Sequence, residues 1–247
     1  MTDKICLVTG VGDATGAAIS RRFARDGYRV AMLARNRERL QKLERQINGS
    51  KAYVCDVGDL GALTRTVAAV RAELGSPSAV IHNAVAATFG TFLEADPIEL
   101  ERNFRVNTTA LLHLARAIAP DMIAARAGAI VVTGNTSSLR GVPNYSLFAP
   151  TKAAQRILAE SLARDLGPKR VHVAYVTIDG SIDSPWLNEG GRTAPAWHPP
   201  PADWSRPRAD WFAEPDAIAE EVFHIAHQHH STWTFDLIVR PYAEKWR

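Results

Sequence analysis

Short apolar runs alternate along this chain with longer stretches in which apolar residues return every three to four positions. Runs at 5–8, 28–33, 52–55, 79–81, 129–133, 171–178 and 233–239 have the length of strands. The first, Ile5-Cys6-Leu7-Val8, is continuous, as expected of a parallel strand covered on both faces. Ala17, Ala18, Ile19, Phe23 and Ala24 recur at helical spacing and predict a helix starting near Gly16; 60–74, 148–166 and 216–227 read in the same way. Asp96-Pro97 places an acceptor cap before a proline at the first helical position, and the periodicity then runs to about Arg126 with a break near Asn107. Strands alternating with helices predict an α/β fold: a doubly wound parallel sheet, Rossmann-like, with helices on both faces.

At 247 residues and 46% apolar composition the chain can bury a large core, and one domain is expected. No apolar stretch approaches the roughly 18 residues of a membrane span, and MTDKICLVTG is already strand, which leaves no room for a signal peptide. A cytoplasmic protein that does not engage membranes is expected. Cys6 and Cys55 both fall in predicted core strands and read as small buried hydrophobes rather than a disulfide or a metal pair. The net charge is only +3, with Lys and Arg scattered along helices, which argues against nucleic acid as a partner. His224, His227, His229 and His230 crowd the end of the last helix, but no cysteine completes a ligand set, and cations are ordinary at helix carboxyl ends. No metal is expected.

Composition changes after Ile178. Between Asp179 and Pro215 lie seven of fourteen prolines and four of six tryptophans, Trp186, Trp197, Trp204 and Trp211. A connection this long with its own aromatics can pack as a lid over the carboxyl ends of the strands, or as a surface or oligomer contact.

The chemistry concentrates between the first two strands. Gly10, Gly12 and Gly16 punctuate the turn Gly10-Val11-Gly12-Asp13-Ala14-Thr15-Gly16, which joins a strand to a helix inside a βαβ unit of about thirty residues. Missing Cβ atoms let backbone approach a bound group, and a helix amino end facing it suits a pyrophosphate. The spacing is one residue longer than the usual dinucleotide fingerprint. Where an acid would hold a ribose 2′-hydroxyl, the second strand ends in Ala34-Arg35, and a guanidinium can pair with a 2′-phosphate. NADP(H) is therefore favoured over NAD(H), the other reading of Arg35, Arg37 and Arg39 being a solvated basic helix start.

TGVGDATG, Arg35, Cys55-Asp56-Val57, His82-Asn83-Ala84, Val106-Asn107-Thr108 and Lys152, in this order and spacing, make the chain resemble the short-chain dehydrogenase/reductase family over nearly its whole length. That resemblance implies an oxidoreductase moving hydride between nicotinamide and a carbonyl or alcohol carbon of a small molecule. It would set Asp56 and Val57 beside the adenine and Asn83 and Ala84 beside the cofactor. Asn107 would hold a water in the proton relay, and Lys152 would bind the nicotinamide ribose. Asp179-Gly180 followed by Ser184 matches the turn and downstream threonine by the nicotinamide amide. Homodimers or homotetramers built on the helices at about 108–126 and 148–166 are also implied.

The departures lie at the chemistry. The family's proton-donating tyrosine stands four residues before the lysine, and here that residue is Phe148, which has no proton to give. The serine that orients the carbonyl falls on Asn135, with Ser137 and Ser138 just beyond. Ala14 replaces a loop glycine, His82 an asparagine and Val85 a glycine. Tyr145 is the substitute phenol, provided the helix begins after it; within one helix it would sit about 10 Å from Lys152 along the axis. The acid step then falls to Tyr145, Ser137 or water. The alternative is a dinucleotide-binding protein without redox turnover, a sensor or partner subunit.

Overall fold

A computed structural model describes residues 4–184, 210 and 212–244. The elements follow in the order β1 (Ile5–Thr9), α1 (Thr15–Arg25), β2 (Arg29–Ala34), α2 (Arg37–Gln46), β3 (Ser50–Val54), α3 (Leu60–Glu73) and β4 (Ala79–His82). After these come α4 (Pro97–Phe104), α5 (Ala110–Ala125), β5 (Ala129–Asn135), α6 (Ala149–Leu166) and β6 (His172–Ile178). A two-residue pair, β7 (Ser181–Ile182) and β8 (Phe212–Ala213), precedes α7 (Pro215–Ala226) and β9 (Asp236–Val239). Seven strands form one parallel sheet in the order β3-β2-β1-β4-β5-β6-β9. The order reverses beside β1, which puts a crevice at the carboxyl ends of β1 and β4.

Alternation along the strands divides the core into two layers. Leu7, Val80, Ile130 and Tyr175 face α3, α5 and α6, which contribute Leu63, Leu114 and Ala159. Cys6, Val8, Ile81 and Val176 face the other way, onto Ile19 and Phe23 of α1, Leu40 of α2 and Val222 of α7. Both cysteines are buried and unpaired with each other, as small core residues. Asn36, Asp59 and Asp96 cap α2, α3 and α4 through their side chains, and Pro97 occupies the first turn of α4. No side chain caps α1, whose amino end is left to the glycine turn.

The break expected near Asn107 is a π-helical turn, Arg105–Thr109, between α4 and α5. The helix expected from Phe148 starts one residue later, with Phe148 as its cap. Trp186, Trp197, Trp204 and Trp211, and with them most of the expected lid, lie outside the described residues. Among the described residues no helix is long and apolar enough to cross a membrane, and no cluster of His, Cys, Asp and Glu could hold a metal.

Candidate active site

Backbone contacts explain two of the three glycines in the turn. Gly10 adopts φ +69, and a Cβ there would lie 2.5 Å from Ala84 Cα; one on Gly16 would lie 2.6 Å from the Gly10 carbonyl. Both therefore let β1, β4 and α1 meet closely. Gly12 differs, since a Cβ there would meet nothing within 4 Å. Its backbone faces open space beside the uncapped amino end of α1, an arrangement that suits a pyrophosphate.

Asn83 ties the two sides of the crevice together: its Nδ2 donates to the Gly10 carbonyl at 2.9 Å and its Oδ1 accepts from Thr133 Oγ1 at 3.0 Å. The Ala84 N–H donates to Thr9 Oγ1 at 3.3 Å. At the end of β2, Arg35 is exposed and makes no ion pair among the described residues, whereas Arg39 is held by Asp13 at 2.7 Å. Asp56 accepts the Gly58 N–H at 2.9 Å, and Val57 beside it is buried. Gly180 takes φ +150 against Pro241, and the neighbouring Asp179 pairs with Arg240 at 3.0 Å, next to the described part of the segment that carries Ser184.

Lys152 is 2% exposed. Its ammonium donates to the Thr133 carbonyl at 3.2 Å and to Gln155 Oε1, and loss of water pushes its pKa down to about 7. Gln155 is the centre of a buried network: Oε1 also accepts from the Tyr175 hydroxyl at 3.3 Å, and Nε2 donates to the Asn107 carbonyl at 2.6 Å. The Asn107 side chain is fully engaged, taking the Ala86 N–H at 3.0 Å and donating to the Ala86 carbonyl and Thr151 Oγ1, both at 2.8 Å. His82 Nε2 lies 3.2 Å from the same Asn107 carbonyl, and Nδ1 lies 3.1 Å from Thr9 Oγ1. One pattern satisfies both contacts, a neutral ring donating from Nε2 and accepting at Nδ1. Burial, followed by the charge of Lys152, holds its pKa down at about 4. Where the resemblance implied a water on Asn107, its carbonyl thus accepts from two side chains.

Gln155 and Tyr175 escaped the sequence reading. Gln155 lies three residues after Lys152, one turn along the same face of α6, and a polar residue on that inward face is its only mark in sequence. Tyr175 leaves its mark on a neighbour, since a Cβ on Gly134 would lie 2.2 Å from its ring.

Phe148 is buried one turn before Lys152, its ring edge-on to Phe89 with centroids 5.3 Å apart. Tyr145 lies in the turn before α6, and its carbonyl accepts the N–H groups of Phe148 and Ala149. Its half-buried ring packs on Phe89 at 4.8 Å, and burial raises the phenol pKa. It lines a cleft of about 740 Å³ together with Ser137 of the turn after β5, Phe92, Leu93, Leu139 and Val142. The structure thus brings Tyr145 and Ser137 to one cleft, while Lys152 and Phe148 are not among the residues that line it. Asn135 ends β5 with its buried Oδ1 lacking a partner among the described residues.

Comparison with known proteins places this arrangement. Residues 4–190 match the family described as short chain dehydrogenase. D-erythrulose reductase of Gallus gallus is 34% identical over 171 residues, 69% of this chain and 68% of that protein. Versicolorin reductase stcU of Emericella nidulans is 34% identical over 179 residues, 70% of this chain and 67% of that protein. A metagenomic short-chain oxidoreductase solved in complex with NADP superposes with a TM-score of 0.79 at 28% identity, covering 96% of this chain and 97% of that one. A glycine turn at the sheet's crevice, a buried lysine beside it and a family match over most of the length agree: this chain belongs to the short-chain dehydrogenase/reductase family of oxidoreductases.

Proposed function

We propose that this protein is an NADP(H)-dependent oxidoreductase that reduces the carbonyl of a small molecule, or oxidises the matching alcohol, with its acid step moved off position 148. One observation carries the reading: Lys152 is kept buried at the crevice, held by Thr133 and by the Gln155 network, at a cost that packing alone would not require. Both reductases named above act by reduction, and the metagenomic relative binds NADP.

The glycine turn from Gly10 to Gly16, with Asp13, Ala14 and Thr15, would cradle the pyrophosphate, and Arg35 would meet the 2′-phosphate. Asp56 and Val57 would border the adenine, Asn83 and Ala84 the middle of the cofactor, Lys152 the ribose, and Gly180 and Ser184 the amide. The open face of Gly12 and the uncapped end of α1 fit such a group. When bound, the nicotinamide supplies or accepts the hydride. Asn135 would orient the carbonyl through its amide Nδ2–H, the donor end of its side chain, and Tyr145 or Ser137, both on the cleft wall, would provide the hydroxyl that gives up or takes the proton.

Fluorescence titration with NADPH and NADH, followed by a carbonyl screen on the same protein, tests the reading. Tighter binding of NADPH and turnover lost in Tyr145→Phe or Ser137→Ala are expected. Phe148 and Asn135 favour one second reading, a dinucleotide-binding sensor or partner subunit, and binding without turnover of any carbonyl would select it.

A further inference from the structure

A second cleft, of about 530 Å³, opens at the opposite end of the sheet, where β1, β4, β5 and β6 begin. Lys4, Arg126, Arg170, His229, His230 and Trp233 line it, and no carboxylate does among the described residues. Its volume lies in the range of small-molecule sites.

Three observations separate this cleft from ordinary surface. First, Lys4, Arg126 and Arg170 make no ion pair among the described residues, so three cations share one concavity with no carboxylate among its described lining residues. Second, Arg126 and Arg170 hold φ +51 and +68, two of only three non-glycine residues with left-handed backbone among those described. Each follows a helical segment at a position where glycine is the unstrained choice. Two strained arginines at one cleft point to a use for their side chains. Third, the rings of His229 and His230 lie 4.1 Å apart, and His230 is held below its usual pKa by His229 first and by Arg170 as well. Positive groups are gathered here rather than dispersed. The helix carboxyl ends on this side offer only about half an elementary charge each, too little to balance three full cations.

We propose that this cleft is a second binding site, remote from the glycine turn, for a small molecule carrying two or more phosphate groups. Permanent cations around a concave, carboxylate-free wall suit a compact multivalent anion, and Arg126 and Arg170 can each engage phosphate oxygens bidentately.

Calorimetric titration of the full chain with inorganic pyrophosphate tests this, comparing wild type, Arg126→Asn/Arg170→Asn and Gly12→Asp. Asparagine tolerates left-handed backbone, so the double variant should keep its melting temperature while binding pyrophosphate at least about tenfold more weakly. Gly12→Asp puts a carboxylate into the glycine turn at a position where a Cβ meets nothing within 4 Å; it should leave this binding in place, which separates it from the glycine turn, and added salt should weaken it. Absence of pyrophosphate binding by wild type at millimolar concentration, or equal binding by the double variant, would overturn the proposal. A large fall in melting temperature of the double variant would do so too, since the arginines would then be structural.

Discussion

Phe148 stands where the family resemblance implies a proton-donating tyrosine. Its ring fills the place one turn before Lys152 and packs edge-on against Phe89, so a hydroxyl added there enters a largely apolar setting. Phe148→Tyr should raise carbonyl reduction by about 10²-fold or more, as a positioned general acid does, measured as kcat/KM on a carbonyl that wild type turns over. It should also cost about 1–3 kcal/mol in denaturant unfolding unless the new hydroxyl finds a partner. A folded, NADPH-binding variant no faster than wild type would show that the missing phenol is not the bottleneck. At the other end of the site, exposed Arg35 should set cofactor choice; Arg35→Asp removes a charge-assisted contact worth about 1.5–3 kcal/mol and should reverse the NADPH preference in paired titrations. Equal affinities for the two cofactors in wild type would count against it. These residues were legible because motif and spacing point at them. Gln155 was not, because its role depends on Tyr175 and Asn107, 20 and 48 residues away in sequence.

At the level of elements the hydrophobic pattern carried most of the information. Strands β1 to β6 fall within a residue or two of the apolar runs that predict them; strands covered on both faces are apolar throughout, whereas edge strand β3 begins with Ser50 and Lys51, outside its apolar run. The π turn at Arg105–Thr109 was visible only as a break near Asn107; periodicity marks an interruption but not its hydrogen-bond pattern. Helix α2, with its basic sequence and only Leu40 and Leu43 buried, was no more than a basic helix start in the sequence. Helices α5 and α6 expose Leu112 and, at 57%, Ile157, apolar surface of the kind a subunit contact covers. Light scattering at micromolar concentration should therefore find a homodimer or homotetramer. Ile157→Arg should shift it toward a smaller species with little change in the fold, because the side chain is exposed. A wild-type monomer would leave that surface needing another cover.

Across the whole molecule, the buried Lys152, Gln155, Asn107, His82 and Thr9 network makes stability depend on pH in a direction that follows from its two titrating members. His82 has a pKa of about 4 in the fold against an ordinary 6.5, so between these values the unfolded chain holds the extra proton. Stability is then complete above about pH 6.5 and is lost toward pH 4, by on the order of 3 kcal/mol. Lys152 is lowered from 10.5 to about 7, so the unfolded chain again holds more protons from pH 7 upward, and stability should rise with pH there too. The buried thiols of Cys6 and Cys55, raised above 9.0, oppose this rise once they begin to ionise in the unfolded chain, so the informative window is pH 7 to 9. Denaturant unfolding at fixed pH separates the two groups. His82→Asn should shrink the acid limb to the part that His172, also lowered by burial, contributes, and leave the alkaline one, whereas Lys152→Met should flatten the rise from pH 7 to 9 and weaken NADPH binding. An alkaline rise that survives in Lys152→Met would show that this ammonium is not the group buried at a cost, and the observation that carries the proposed function would fall with it.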